Sequence, residues 1–256
     1  MIFTAQSIER QDASRRFSWQ IKDAAHCSPF ELRPLSLPPF SSDLQIAPGE
    51  VYCLVGANGA GKTTTISLFL NFISPTSGAA LVNGICISEQ PDLAKRHLAY
   101  IPETVSLYGQ LTGVENLDYF STLAGYRLSK DEKLNLLERS GLGIADVNRR
   151  ASEYSKGMRQ KVGIAIALAK NASAILMDEP TSGLDPQASN ELSLLVKQLG
   201  SQQTTVLMAT HDLYRAKEIA SVIGIMRQGQ LVETVNPSEV SHTELETIAL
   251  RSMQFQ

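Results

Sequence analysis

The chain has 256 residues, of which 43% are hydrophobic, and its formal net charge is −3. This composition is sufficient for one large domain or two small ones with well-buried cores. The near-neutral charge and the lack of a long basic run exclude the electrostatic pattern of a general nucleic-acid binder.

Neither secretion nor a membrane span is indicated by the sequence. No apolar run approaches the roughly 18 residues of a transmembrane helix, and the first 17 residues mix acidic and basic side chains without an apolar signal core. Cys27, Cys53 and Cys86 have no CxxC spacing and cannot all pair within the chain. We expect a chain kept in a reducing cytoplasm, which acts at a membrane only if another polypeptide supplies the membrane part.

The first half of the chain begins with short strand-like stretches. Residues 1–50 carry these around the proline-rich "RPLSLPPFSS", a pattern typical of an antiparallel edge. Residues 51–55, "VYCLV", predict a buried strand, and a glycine-rich turn and a helical pattern follow, as in the first half of a βαβ unit. The segment "GAALVNGICI" then predicts two strands around an Asn-Gly turn.

From about residue 104 the pattern becomes helical. Two segments, "LTGVENLDYFSTLAGY" and "SKDEKLNLLERSGL", show a 3.6-residue period behind a Ser or Thr. Buried-strand patterns return in "SAILMDEP", "TTVLMATH" and "VIGIMRQGQLVETV", with helices between them.

These patterns predict a single α/β domain with a parallel sheet. We expect the following parts: an antiparallel β edge over about 1–50, a core over 51–103 and 156–235, a helical insertion over about 104–155, and a C-terminal tail over 236–256.

The segment "GANGAGKT", Gly56 to Thr63, matches the phosphate-binding pattern G-x-x-x-x-G-K-[ST] in full. It lies between a predicted strand and a predicted helix, so that glycines can turn backbone N–H groups toward a polyphosphate at the helix N-terminus. We predict that Lys62 reaches the β- and γ-phosphates and that the Thr63 hydroxyl binds Mg²⁺. The residues predicted to contact the nucleotide are Gly56, Ala57, Asn58, Gly59, Ala60, Gly61, Lys62, Thr63 and Thr64.

Two later strands end in groups suited to phosphate chemistry. Asp178 and Glu179 follow the apolar "AILM", and the carboxyl end of a buried parallel strand faces the ligand crevice. Asp178 is predicted to hold Mg²⁺, and Glu179 to orient or deprotonate water. His211 closes the next strand and is placed to hydrogen-bond a γ-phosphate. Each motif alone also fits a loop leaving the sheet, but a nucleotide at Gly56–Thr63 requires a carboxylate near its metal.

Residues 154–160, "YSKGMRQ", begin another helical pattern, which Ser155 is placed to cap. Gly157 falls in the first turn, where glycine costs about 1 kcal/mol relative to alanine. Either this turn is loosely specified, or another group must come close to its backbone.

The order of the motifs resembles the nucleotide-binding subunit of an ATP-binding cassette (ABC) transporter over about residues 44–235. "PE" at 102–103 together with "YSKGMRQKVGIAIALA" looks most like the daunorubicin-resistance branch of ABC-2 type exporters. The matching segments are "GANGAGKTT" as Walker A, "YIPET" as the glutamine loop, "YSKGMRQ" as the signature, "ILMDEP" as Walker B, "SGLD" as the D-loop and "TH" as the switch histidine.

The resemblance implies an ATPase subunit with ATP and Mg²⁺, in a head-to-tail dimer of two copies of this cassette. It also implies a separate membrane permease, a location at the cytoplasmic face of the membrane and no nucleic-acid partner. Glu179 and His211 would act in hydrolysis, and Asp185 would lie in the D-loop. The signature residues would serve the ATP held by the second cassette, and they are Ser155, Lys156, Gly157 and Met158.

Two positions depart from the family pattern. Lys156 replaces the usual first glycine of the signature and brings a cation near the phosphates. Glu103 replaces the usual glutamine, which retains an oxygen ligand for Mg²⁺ but adds negative charge near the triphosphate. The aromatic residue that stacks on adenine is left open among Phe17, Trp19, Phe30 and Phe40.

Two other classes of ATPase share these motifs. A soluble ABC ATPase of an assembly system, such as iron–sulphur cluster biogenesis, is also a single cytoplasmic domain and is the main alternative. A DNA-repair or chromosome-structure ATPase carries a very long coiled coil before the signature. That class is disfavoured, because only about 90 residues intervene here, without sustained heptads.

Overall fold

The computed structural model describes residues 19–22 and 44–254. Phe17, Phe30, Phe40 and Cys27 therefore lie outside the described residues. The strands, in chain order, are β1 (Trp19–Lys22), β2 (Gln45–Ile46), β3 (Val51–Val55), β4 (Ala79–Val82), β5 (Ile85–Cys86), β6 (Leu98–Ile101), β7 (Ala174–Asp178), β8 (Thr205–Thr210), β9 (Val222–Arg227) and β10 (Gln230–Val235).

The helices alternate with strands in the core segments and follow one another in the insertion. They are α1 (Lys62–Phe69), α2 (Pro91–Lys95), α3 (Gly113–Leu123), α4 (Lys130–Arg139), α5 (Lys156–Ala169), α6 (Pro186–Ser201), α7 (Leu213–Ile219) and α8 (His242–Gln254), with a 3₁₀ helix at Ala151–Glu153. None of the helices within the described residues combines the length and the apolar character that a bilayer span needs.

A large, mostly parallel sheet forms the centre of the fold. Within the described residues its strand order is β10-β9-β3-β8-β7-β6. The strands from β9 to β6 pair in parallel, whereas β10 pairs antiparallel with β9. The segment 222–235, predicted as one buried strand, forms two strands because Gln228 and Gly229 both have positive φ, 49° and 80°, and reverse the chain. The predicted α/β fold with a parallel sheet is confirmed, and β10 is its antiparallel edge.

Both faces of this sheet are buried, which is typical of parallel sheets. Alternate residues of β3 belong to different apolar cores: Val51, Cys53 and Val55 to one, Tyr52 and Leu54 to the other. The first core includes residues of α5, α6, α7 and α8, and the second includes residues of α1, α2 and β4. The end of β3 is therefore held from both sides.

A second, small sheet is antiparallel, with the order β2-β1-β4-β5 within the described residues. The β4–β5 hairpin turns at Asn83 and Gly84, whose φ angles are 54° and 76°. This is the predicted Asn-Gly turn, which requires positive φ at both central residues.

The insertion between β6 and β7 is helical, as predicted. Helices α3 and α4 each begin with a capping box, at Thr112 with Glu115 and at Ser129 with Glu132. These helices share an apolar core with α5, which includes the fully buried Leu117, Leu137, Val162 and Ala165.

Residues 236–256 were expected to be a tail, and this expectation is wrong for most of the segment. Helix α8 begins at His242 and packs against α7 and β9. Leu245 and Ala249 are buried, and Ile248 packs beside them. The spacing of these residues, i, i+3 and i+4, is the helical signal that the segment carries.

Candidate active site

The parallel register brings several loops to one edge of the large sheet. Val55 at the end of β3 lies beside Thr210 at the end of β8, and Asp178 at the end of β7 lies beside Ala209. The Gly56 loop, Asp178 with Glu179, and His211 therefore leave the sheet at neighbouring points. The carboxyl edge of a parallel sheet is where ligands bind in such folds.

The backbone of the Gly56–Thr63 loop is curled tightly. A Cβ at Gly56 would lie 2.5 Å from the carbonyl oxygen of Met226, so only glycine fits directly after β3. Gly59 and Gly61 have φ of 82° and 108°, in the left-handed region that favours glycine. The Gly229 N–H donates to the Ala60 carbonyl at 2.8 Å and ties the loop to the β9–β10 turn. The loop precedes the N-terminus of α1, as an anion cradle does.

The Lys62 side chain lies inside this loop. It is buried, and its Nζ donates to the carbonyl oxygens of Gly56, at 2.8 Å, and Ala57, at 3.2 Å. The same ammonium is 3.4 Å from Glu179 Oε1. One cation thus joins the cradle to the end of β7.

Thr63 and Asp178 form a hydroxyl–carboxylate pair, with Thr63 Oγ1 donating to Asp178 Oδ1 at 3.2 Å. Burial raises the pKa of Asp178, and the charges of Glu179 and Glu103 act in the same direction, whereas the Thr63 hydrogen bond and Lys62 oppose the shift. Burial thus disfavours the charged form of this carboxylate more than its present partners favour it.

This pair fits Mg²⁺ that is bound jointly with phosphates. Hydroxyl and carboxylate oxygens are the ligands Mg²⁺ prefers, and it commonly takes only one or two carboxylates from the protein. Across residues 19–22 and 44–254, no group of three or more His, Cys, Asp and Glu side chains is arranged to hold a metal by itself.

Glu179 is held in a strained conformation next to His211. Its φ is 43°, unusual for a residue with a side chain, and its N–H donates to the Ala209 carbonyl at 2.8 Å. Glu179 Oε2 is 2.8 Å from His211 Nδ1 and also accepts from the His211 N–H at 3.3 Å. Glu179 Oε1 is buried and has no hydrogen-bond partner in the part of the chain that the structure describes. One oxygen of this carboxylate is thus held by His211, and the other faces the Lys62 ammonium at 3.4 Å.

The signature segment begins α5 as the sequence predicted. Ser155 is exposed and caps the helix, its Oγ accepting from the Met158 N–H at 3.2 Å. Met158 is half-buried and packs against the core of the helical insertion. The exposed hydroxyl therefore stands at the positive end of a 14-residue helix.

Gly157 has a structural explanation within the chain. It is buried, and a Cβ there would lie 3.2 Å from Ala188 Cβ and 3.8 Å from Leu184 Cδ2. Asp185 caps α6 by accepting from the Ala188 N–H at 2.9 Å. Glycine thus allows the first turns of α5 and α6 to pack closely. The turn is not loosely specified, and the approach of a phosphate to Gly157 stays a prediction.

Glu103 lies beside the signature. Its Oε1 accepts from Ser182 Oγ at 2.8 Å and is 3.9 Å from Lys156 Nζ. The sequence placed both Glu103 and Lys156 near phosphates but did not predict their contact.

Comparison with known proteins gives the family. A sequence model described as ABC transporter matches residues 41–182. The chain belongs to the ABC transporter family. The predicted resemblance to an ABC nucleotide-binding subunit is therefore confirmed.

Among its relatives, the chain is 37% identical over 199 residues to the bacitracin transport ATP-binding protein BcrA of Enterococcus faecalis, covering 77% of this chain and 64% of that protein. It is 34% identical to the daunorubicin/doxorubicin resistance ATP-binding protein DrrA of Streptomyces peucetius, covering 74% and 58%. The match thus spans less than two thirds of either relative's length.

Among solved structures, a dimeric bacterial ABC transporter cassette matches with a TM-score of 0.68 and 26% identity, over 77% of this chain and 89% of that one. The likeness thus includes most of that cassette. It agrees with the α/β fold and the small antiparallel sheet described above.

In this ABC chain, the close packing of Gly157 predicts energetic coupling with Ala188. The change in the free energy of unfolding caused by Gly157→Ala should be about 1 kcal/mol more favourable in an Ala188→Gly background than in the parent. The reason is that removing the Cβ of residue 188 makes room for a Cβ at residue 157. Urea unfolding of the two single variants and the double variant measures this coupling. Strictly additive effects would show that the contact does not require glycine.

The raised pKa of Asp178 predicts a pH-dependent cost to stability. The folded state binds this proton more tightly than the unfolded state, so stability is lost as pH rises through the folded-state pKa. Asp178→Asn should therefore raise the free energy of unfolding at pH 7, and the gain should vanish below about pH 4, where the carboxyl is protonated in both states.

Urea unfolding at several pH values measures the effect of Asp178→Asn. Glu246→Gln is the control, because Glu246 is exposed on α8 and should show no such pH-dependent gain. An Asp178→Asn variant that is less stable than the parent at pH 7 would contradict the assignment of a burial cost.

Proposed function

We propose that this chain is the ATP-hydrolysing subunit of an exporter-type ABC transporter. It would act as a dimer of cassettes at the cytoplasmic face of the membrane, coupled to a separate permease. The observation that carries the proposal is the convergence of the Lys62 cradle, the Thr63–Asp178 pair and the Glu179–His211 pair at one sheet edge. The assembly-system alternative is not favoured, because the relatives carry the names of transport and drug-resistance proteins.

The triphosphate of ATP would bind in the Gly56–Thr64 cradle. Backbone N–H groups of the loop and the positive end of α1, which do not depend on side chains, would attract the phosphate oxygens. The Lys62 ammonium already lies in the loop, bonded to carbonyl oxygens and close to Glu179. A phosphate would compete with Glu179 for this cation, so that nucleotide binding would release Glu179 Oε1 for other donors.

Thr63 and Asp178 are the residues that would hold Mg²⁺. When bound, the ion neutralises charge that develops on the β- and γ-phosphate oxygens. The hydrogen bond of 3.2 Å between Thr63 Oγ1 and Asp178 Oδ1, which brings a hydroxyl and a carboxylate together at the sheet edge, supports this assignment.

Glu179 would act as the general base. Its Oε1 is buried and, among the described residues, faces the Lys62 ammonium, so that it would accept a proton from an attacking water once a phosphate engages Lys62. His211 holds the other oxygen at 2.8 Å and would keep the carboxylate oriented during the reaction.

The exposed start of α5 would complete the site of a second copy. Ser155 is exposed at the N-terminus of α5, which favours binding of an anion from outside the chain. The similarity to a solved dimeric cassette supports this arrangement. Lys156, Gly157 and Met158 would share this surface as the remainder of the signature.

The helical insertion would contact the permease. Tyr108 and Tyr119 are 51% and 43% exposed, and their rings meet edge to face at 4.8 Å, with Phe120 beside them. This aromatic cluster follows the Glu103 loop in the chain, so motion of the loop can reach it directly. Exposed aromatic side chains are enriched at protein interfaces.

The role of Glu179 predicts that Glu179→Gln lowers turnover at least about a hundredfold, because the amide cannot accept the proton of water. ATP should still bind and should stabilise a dimer. Phosphate release measures the first result, and size-exclusion chromatography with and without ATP measures the second. Glu246→Gln should retain parent activity, since Glu246 is exposed on α8. Full turnover in the Glu179→Gln variant would refute the assignment.

The composite site predicts complementation between two inactive variants. Lys62→Ala removes the cation of the cradle, and Ser155→Arg blocks the signature. A one-to-one mixture should recover roughly a quarter of parent activity, because half of the dimers are mixed and each of these has one intact site. Mixing either variant with buffer alone is the control. No recovery, with mixed dimers demonstrated by tags, would contradict a site built from the cradle of one chain and the signature of the other.

A further inference from the structure

Three loops of the chain meet at the Glu103 carboxylate. Glu103 follows β6, Lys156 begins α5, and Ser182 lies between β7 and α6. Glu103 Oε1 accepts from Ser182 Oγ at 2.8 Å and lies 3.9 Å from Lys156 Nζ. A single oxygen therefore contacts both the signature and the loop that follows Glu179.

The backbone at Glu103 is fixed by α5 itself. Gln160 is buried, and its Nε2 donates to the Glu103 carbonyl at 3.0 Å and to the Pro102 carbonyl at 3.4 Å. Since Gln160 lies one turn after Lys156 on α5, the same helix sets the positions of both charged residues. The short distance between Glu103 and Lys156 is therefore set in part by the backbone that α5 holds in place, and not by two flexible side chains alone.

Lys156 is directed toward the loop after β7. A Cβ at Gly183 would lie 3.6 Å from Lys156 Nζ and 3.9 Å from its Cδ, so the lysine side chain covers this glycine. Gly183 has φ of 64°, which a larger residue would adopt only with strain. The ammonium thus sits between the Glu103 carboxylate and the Ser182–Gly183 backbone.

Each of the two residues brings an unbalanced charge by itself. The Glu103 carboxylate is near enough to Asp178 to contribute to its raised pKa, and it would repel a triphosphate at the cradle. Lys156 carries the opposite charge and lies at the carboxylate. The motif resemblance implies that Glu103 stands in place of a glutamine and Lys156 in place of a glycine, so both charges depart from the expected motifs.

We propose that Glu103 and Lys156 act as one charge-balanced pair, which joins Ser182 to the start of α5 and allows each departure to compensate the other. Both are positioning residues. The inference rests on the proposed function, because the effect of the pair is on ATP bound at the cradle.

The pair is expected to act on nucleotide binding and not on stability. The side chains of Glu103 and Lys156 are 53% and 32% exposed, and exposed ion pairs contribute little to folding. Loss of the pair should therefore leave the unfolding midpoint of the chain unchanged. This separates a positioning role from a merely structural one.

Charge-removing variants of similar shape test the proposal. Lys156→Met should raise both KM and the dissociation constant for Mg-ATP about fivefold, because Glu103 then faces the cradle without its partner. Adding Glu103→Gln to this variant should return both constants to within about twofold of the parent, because neither charge is then left without its partner. Lys156→Arg keeps the charge and should keep parent affinity.

A second lysine–glutamate pair, whose lysine also lies on α5, provides the matched control. Lys161 on α5 is 2.6 Å from Glu191 on α6, away from the three loops. Lys161→Met, alone or with Glu191→Gln, should leave KM and the dissociation constant for Mg-ATP unchanged. An equal rise in these controls would overturn the proposal.

The remaining outcomes separate this proposal from the proposed function. If the parent binds and hydrolyses ATP but Glu103→Gln does not reverse the defect of Lys156→Met, the charge-balanced pair is refuted and the ATPase assignment stands. If the parent does not bind Mg-ATP, the proposed function fails, and the pair proposal fails with it.

Discussion

The parallel pairing of β3, β8 and β7 is the constraint on which the site depends. Every residue of these strands is buried. Asp178 is the last residue of β7, and Glu179 follows it in the loop. A one-residue slip that drew Glu179 into the sheet would bury a second carboxylate without partners, at a cost of several kcal/mol. The cost of burying charge thus fixes the register, and the register in turn places Asp178 beside the loop that follows β3.

The balance of charge at this edge explains what it can bind. One buried ammonium, that of Lys62, faces the carboxylates of Asp178 and Glu179, and Glu103 adds a further negative charge nearby. A triphosphate would meet net repulsion here unless backbone N–H groups and a divalent cation accompanied it. In the proposed function, the carboxylates assigned to metal binding and proton transfer would therefore make nucleotide binding depend on the metal.

Features carried by short contiguous motifs could be predicted from the sequence, whereas contacts between distant segments could not. The cradle, the Asn-Gly hairpin and the capped start of α5 each depend on a few adjacent residues with specific backbone preferences. The fit of Gly157 against Ala188 depends on how α5 crosses α6, and the Glu103–Lys156 contact depends on three separate loops. Helix α8 carries a local signal in the spacing of Leu245, Ile248 and Ala249, whereas the four aromatic candidates for stacking on adenine belong to an N-terminal segment in which no motif distinguishes them.

Close packing at the start of α5 connects the candidate site around Glu179 with the exposed Ser155. Ser182 N–H donates to the Glu179 carbonyl at 3.0 Å, and Ser182 Oγ binds Glu103. Gly157 lets α5 lie against the first turn of α6, so Ser155 cannot shift without moving that turn. A displacement of Glu179 would therefore reach Ser155 through a few rigid contacts. Because Ser155 is exposed, a second cassette bound there would be sensitive to the occupancy of this chain's own cradle, and dimer closure and nucleotide binding would be reciprocal effects of one set of contacts.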